Sequence, residues 1–235
     1  MSNVLITGSN RGLGLGLARS YLEDGWNVIA VNRSQSSELD ALSATGRLHC
    51  HTCDLTDDDA LSQLAHELSG NSVEVLINNA GMMAKSGFVR DQESVQGFGH
   101  FNRQVWRQVF DINLFTPMRM AELFAPHLEA AGQGKLVTIS SMLGSMELNT
   151  RGGLYAYRAS KAGVNAIVKS MGFDLAERNI TAIALHPGWV RTDMGGKGAD
   201  LDIETSVNGM KHVIDGLTTA DSGKFFSYDG SEMPW

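Results

Sequence analysis

Short β-branched or apolar runs alternate along this chain with longer stretches of helical periodicity. Strands are predicted at Asn3 to Ile6, Asn27 to Val31, Arg47 to Cys53, Val73 to Asn78, Lys135 to Ser140, Ile180 to His186 and Lys224 to Phe226. Between them, Leu13 to Asp24, Ser36 to Ala44, Asp57 to Leu68, Phe101 to Ala131 and Leu154 to Arg178 read as helices. Strands separated by helices imply right-handed crossovers and a parallel sheet covered on both faces. Such a doubly wound α/β sheet binds ligands at the carboxyl ends of its strands. Two segments break the rhythm: Met82 to Asn102 after the fourth run, and Gly195 to Ser206 after the sixth. Both fall at the predicted crevice, where long connections serve as lids or substrate walls.

At 235 residues and 43% hydrophobic content, the chain suits one domain over residues 1–235 with a sizeable core. A formal net charge of -7, without blocks of like charge, gives no footprint for nucleic acid or an anionic membrane. The chain enters the apolar run Val4-Leu5-Ile6 directly, and no stretch nears the roughly 18 apolar residues of a span. A soluble, cytoplasmic protein is the expectation. The two cysteines stand in His49-Cys50-His51-Thr52-Cys53-Asp54. On a strand successive side chains face opposite ways, so these groups do not converge, and no metal site is expected.

The first strand leads into Thr7-Gly8-Ser9-Asn10-Arg11-Gly12-Leu13-Gly14 and then a helix. Glycines there turn the chain, admit a pyrophosphate against the backbone and let helix and strand pack closely, with the helix N-terminus facing the phosphate. The second strand ends in Val31-Asn32-Arg33-Ser34, without the carboxylate that would receive adenosine ribose hydroxyls. An amide followed by arginine, with Arg11 able to approach, suits a 2′-phosphate, because guanidinium pairs with phosphate. NADP(H) is therefore expected over NAD(H).

Tyr157 and Lys161 share a helical face one turn apart. An ammonium about 4 Å from a phenol favours the phenolate by roughly 4 kcal/mol at an effective dielectric near 20, about three pKa units. That brings the tyrosine toward the working range of a general acid/base. Tyr155 lacks such a partner, because its fourth neighbour is Ala159. His186 ends a predicted buried strand and reads as a hydrogen-bonded structural histidine.

Thr7-Gly8 with Gly12 and Gly14, Asp54, Asn78-Asn79-Ala80-Gly81, Asn113, Ser140-Ser141, Tyr157 with Lys161, and Pro187-Gly188 with Thr192 together resemble the short-chain dehydrogenase/reductase family. The resemblance covers essentially the whole chain. Residues 152–158, 186–196 and Pro234-Trp235 are similar, more narrowly, to its sniffer-like carbonyl reductase and C-factor branch. It implies a single-domain Rossmann fold with a seven-stranded parallel sheet of order 3-2-1-4-5-6-7. It further implies that Gly8, Asn10, Arg11, Gly12, Leu13 and Gly14 cradle the phosphates, and that Asn32 and Arg33 meet the adenosine ribose. Asp54 would accept from the adenine amino group, with Leu55 beside the ring. Asn79, Ala80 and Gly81 would line the path of the cofactor ribose, while Asn78 ties neighbouring strands. Pro187, Gly188, Val190 and Thr192 would hold the nicotinamide.

For catalysis the resemblance implies Tyr157 as proton donor to a carbonyl oxygen, or as base in the oxidative direction, with Ser141 bonding the same oxygen. Ser140 serves only if the strand end shifts by one, since neighbouring side chains point apart. Lys161 would lower the tyrosine pKa and, with Tyr157, meet the nicotinamide ribose; Asn113 would hold a water. Ser141 and Tyr157 are sixteen apart, more than is usual for the family, so the segment between them must loop out. Met82, Met83, Met142, Met146, Trp189 and Met194 at crevice loops suggest a pliant apolar wall for a small neutral carbonyl or alcohol substrate. No fixed cation awaits a substrate carboxylate unless Arg90, Arg151 or Arg191 turns inward. Family members pair through two long helices, here Phe101 to Ala131 and Leu154 to Arg178, so a homo-oligomer, dimer or tetramer, is expected, although the narrower branch allows a monomer. A second function class, a signalling or redox-sensing protein that binds nucleotide with little turnover, is also carried by the resemblance.

Overall fold

The computed structural model describes residues 2–84 and 97–235. Its strands are β1 (Asn3–Thr7), β2 (Asn27–Asn32), β3 (Leu48–Thr52), β4 (Val75–Asn78), β5 (Gly134–Ile139), β6 (Ile180–His186) and β7 (Phe225–Ser227). All pair in parallel, in the order β3-β2-β1-β4-β5-β6-β7. The helices are α1 (Gly12–Glu23), α2 (Ser37–Asp40), α3 (Asp58–Glu67), α4 (Arg103–Phe110), α5 (Thr116–Ala130), α6 (Tyr155–Asp174) and α7 (Ile203–Gly216).

Period-two alternation sorts the strand residues into two cores. Leu5, Ile29, Val31, Leu76 and Leu136 pack with Leu61 and Leu64 of α3 and Met120, Phe124 and Leu128 of α5. Val4, Ile6, Val28, Ala30, Ile77 and Val137 pack with Leu17 and Tyr21 of α1 and Val207, Met210 and Ile214 of α7. Strands buried on both faces read as continuous apolar runs, which is why they were legible. Edge strand β3 is the exception, and there Cys50 is exposed while Cys53, just beyond the strand, is buried; both thiols are free.

Three helical expectations are corrected. Gly195 to Ser206 is not all loop, because α7 begins at Ile203 behind an Asp202 cap whose carboxylate accepts from Thr205 N at 2.8 Å. Its signal was a cap followed by buried Val207, Met210 and Ile214 at helical spacing, interrupted by Gly209. The stretch from Phe101 to Ala131 is two helices joined by a π-turn over Asp111–Phe115, just ahead of Pro117. Ser36 to Ala44 yields only α2 followed by a 3₁₀ turn, Ala41–Thr45.

Candidate active site

The carboxyl ends of β1, β4, β5 and β6 converge, and the predicted residues gather there. Gly8 has a φ of +66°, and a Cβ on it would lie 3.0 Å from Ala80 Cα. A Cβ on Gly14 would lie 2.2 Å from the Gly8 oxygen, so only hydrogen fits where α1 leaves the loop. α1 has no side-chain cap, with Arg11 extended at its N-cap, so its first N–H groups are left for an anion. A Cβ on Gly12 would sit 3.6 Å from Thr192 Cγ2, so the loop after β6 closes over the glycine cradle.

Asn79, rather than Asn78, ties the neighbouring strands. Its Nδ2 donates to the Thr7 oxygen at 3.0 Å and the Gly8 oxygen at 2.9 Å, and Thr7 Oγ1 accepts from the Asn79 and Ala80 amides at 3.0 and 3.1 Å. Asn78 points sideways, with Nδ2 donating to the Pro117 oxygen at 3.4 Å. The strand-tying role expected of Asn78 thus falls to Asn79, because residue 79 has already left the strand.

At the end of β2, Asn32 exchanges hydrogen bonds with buried Ser9 at 3.1 and 3.3 Å, and Asn10 Nδ2 donates to Ser34 Oγ at 3.3 Å. Arg33 is exposed and close enough to Asp54 to help hold its carboxyl below the usual carboxylate range, after the two Thr56 hydrogen bonds. Arg11 does not approach this end: its Nη1 meets Asp193 Oδ2 at 2.7 Å, beyond β6. Leu55 is buried and shares a cavity of about 150 Å³ with Thr56, Asp58, Asp111, Phe115 and Thr116.

Ser141 caps the 3₁₀ turn Met142–Gly144, accepting from Leu143 N at 3.1 Å, and hydrogen-bonds the Tyr157 hydroxyl. Ser140 points elsewhere, donating to Asn165 Oδ1 at 2.5 Å. Lys161 is 5% exposed, its Nζ donating to the Ile139 oxygen at 2.7 Å and standing 5.8 Å from the Tyr157 ring centroid. Burial lowers Lys161 to about 8. Burial also pushes Tyr157 up to about 12, against the pull of the Ser141 hydrogen bond. Burial is the larger influence on the phenol, so the lowering expected from Lys161 does not appear. Tyr157 is therefore protonated at neutral pH.

Asn113 is buried with its amide fully engaged: Nδ2 donates to the Met82 oxygen at 2.8 Å and Ser160 Oγ at 3.0 Å, and Oδ1 accepts from Met82 N at 2.8 Å. Its side chain braces the start of the loop after β4. Ser160, which sequence reasoning missed, completes the brace by donating to the main-chain oxygen of Tyr157 at 2.8 Å. His186 is pushed down to about 4 by burial and is neutral at pH 7, but its Nδ1 makes no hydrogen bond among the described residues, contrary to expectation.

Pro187 is held through its oxygen by Ser206 Oγ at 2.6 Å, and Gly188 has a φ of +84°. Val190 is buried, and Thr192 Oγ1 accepts from Gly195 N at 3.1 Å, curling the loop. Arg191 spends its guanidinium on the Ala199 and Asp200 oxygens at 3.1 and 3.0 Å; Arg151 is exposed, and Arg90 lies outside the described residues. Met142, Met146, Trp189 and Met194 are exposed.

Gly144 packs against the backbone that carries Lys161, where a Cβ would fall 2.8 Å from the Lys161 carbonyl carbon. Gly144→Ala is expected to cost about 1–3 kcal/mol through overpacking. Thermal unfolding of the variant checks this, an unchanged Tm being the contrary result.

A family profile described as short chain dehydrogenase matches residues 2–200. The C-signal protein of Myxococcus xanthus is 41% identical over 163 residues, covering 69% of this chain and 93% of its own length. Among solved structures, the carbonyl reductase Sniffer of D. melanogaster superposes with a TM-score of 0.88 at 34% identity, covering 100% of both chains. The NADPH-bound carbonyl reductase from chicken fatty liver gives 0.88 at 29% identity, covering 100% of this chain and 99% of its own.

Proposed function

The chain belongs to the short chain dehydrogenase family, and we propose that it is an NADP(H)-dependent carbonyl reductase in which Tyr157 donates the proton. The observation that carries this reading is the buried group of Ser141, Tyr157 and Lys161 at the end of β5, with the phenol held protonated. The chain fits the cofactor in three places: the cradle that Gly8 and Gly14 keep clear, the uncapped start of α1, and the carboxylate-free end of β2 beside Arg33. The NADPH bound by the chicken enzyme supports the same choice.

When bound, the reduced nicotinamide supplies the hydride. Tyr157 protonates the carbonyl oxygen as charge develops on it, and Ser141 donates a second hydrogen bond to that oxygen. Lys161, one donor spent on Ile139, offers its remaining donors to the nicotinamide ribose. The exposed methionines favour a neutral, apolar aldehyde, ketone or quinone. Exposed Phe101 and Phe115, at the ends of a ring ladder through Trp106 and Phe110, support pairing between copies of the chain.

Oxidation of NADPH with a panel of aldehydes, diketones and quinones tests the reading, and turnover with at least one class is expected. The likeness to C-signal supports a second reading, nucleotide binding with little turnover. Tight NADPH binding without turnover on any compound would favour it. For the cofactor, Arg33→Ala is expected to weaken NADPH about tenfold through lost charge-assisted hydrogen bonds, and NADH hardly at all. Calorimetric titration with both nucleotides reads the difference; equal losses would remove the 2′-phosphate role.

A further inference from the structure

The segment between Ser141 and Tyr157 is tied at its turn to a residue far along the chain. The main-chain oxygen of Trp235 accepts from Met146 N at 3.0 Å, Glu147 N at 3.2 Å and Ser145 Oγ at 3.2 Å. Ser145 is 1% exposed, and its Oγ also accepts from Leu148 N at 3.2 Å. One turn of loop thus converges on one hydroxyl and one carbonyl. Trp235 is itself fixed to the core. Its ring stacks on buried Phe225 with centroids 5.7 Å apart and planes at 25°, and Lys169 Nζ lies 5.1 Å from its centroid. Met233 N donates to the Phe225 oxygen at 2.7 Å and Glu232 bridges Phe226, so the segment runs back along β7 to reach the loop.

The held turn follows the Met142–Gly144 turn that Ser141 caps, and it carries Met146, 73% exposed, and Leu148, 39% exposed. We infer that Trp235 is a positioning residue for the carbonyl pocket: by holding residues 145–148 it sets where Met146 and Leu148 stand relative to Ser141. It thereby governs which carbonyl compounds reach Tyr157. The inference rests on the reductase reading above and deepens it. Physically, an exposed methionine wall is pliant and needs a rigid anchor to discriminate. A stacked ring on a core strand gives that anchor, and donors sharing one acceptor move together.

Two readouts separate this inference from the reductase reading. Hydrogen exchange at the Met146, Glu147 and Leu148 amides reports the clamp without turnover, and Trp235→Ala is expected to speed it at all three while NADPH affinity stays within about twofold. With the reductase active, the same variant is expected to raise KM about tenfold for bulky diketones, with kcat nearly kept and small aldehydes little affected. Trp235→Phe, which keeps a stacked ring, is expected to restore both. Unchanged exchange in Trp235→Ala overturns the clamp whether or not any carbonyl is reduced. Faster exchange with an unchanged KM pattern, or Trp235→Phe as impaired as Trp235→Ala, overturns the positioning role. Should Trp235→Ala fail to fold, Ser145→Ala removes one donor to the same oxygen and is judged by the same exchange and KM criteria.

Discussion

Tyr157→Phe is expected to lower kcat/KM for carbonyl reduction by roughly 10²–10⁴-fold, the usual share of a positioned general acid. The ring is nearly buried and phenylalanine fills almost the same space, so the fold and its core contacts persist. Loss of one hydrogen bond accounts for only about 0.5–1.5 kcal/mol, a factor of roughly two to twelve, in NADPH affinity. The gap between those two magnitudes separates chemistry from binding. Stopped-flow reduction alongside fluorescence titration of NADPH reads both. Equal losses in the two would make Tyr157 a binding residue and nothing more.

Lys161→Met is expected to damage binding and chemistry together. It removes charge-assisted hydrogen bonds to the ribose, about 1.5–3 kcal/mol or roughly 10–150-fold in NADPH affinity, and lowers kcat as well. The pH dependence carries the sign. With its folded pKa lowered to about 8 from 10.5, Lys161 loses its charge as pH rises through 8, so kcat/KM for NADPH should fall there. Lys161→Arg, charged throughout, should shift that limb upward. Stability runs the other way: the buried ammonium costs stability below pH 8, and the cost is relieved between 8 and 10.5 as the charge is lost. Lys161→Met should therefore unfold no earlier than the parent chain at neutral pH, which shows that its lost activity is not lost fold. A flat profile in both proteins would contradict this assignment.

The fold was legible because a parallel sheet buried on both faces writes each strand as an apolar run, as in Val4-Leu5-Ile6 and Ile180 to His186. α7 is not legible in the sequence because Gly195 to Gly198 and Gly209 mask its helical period, although its Asp202 cap announces it. At the site, Tyr157 and Lys161 could be paired from spacing, while Ser141 came from the family resemblance. That Asn79 rather than Asn78 ties β1 to β4 could not be read, since it turns on where β4 stops to within one residue. Arg11 could not be placed either, because its partner Asp193 lies 182 positions away. Nor could the sequence show that burial would raise Tyr157 and lower Lys161, because burial of both groups belongs to the assembled core. The bond from Ser145 to Trp235 spans 90 positions and has no local pattern at all.

The most direct measurement of the central claim is a crystal structure of the protein with NADPH and a carbonyl-bearing inhibitor. The Tyr157 and Ser141 hydroxyls are expected to meet one inhibitor oxygen, each within about 3.2 Å. An oxygen held by other groups, with Tyr157 turned away from it, would contradict the account.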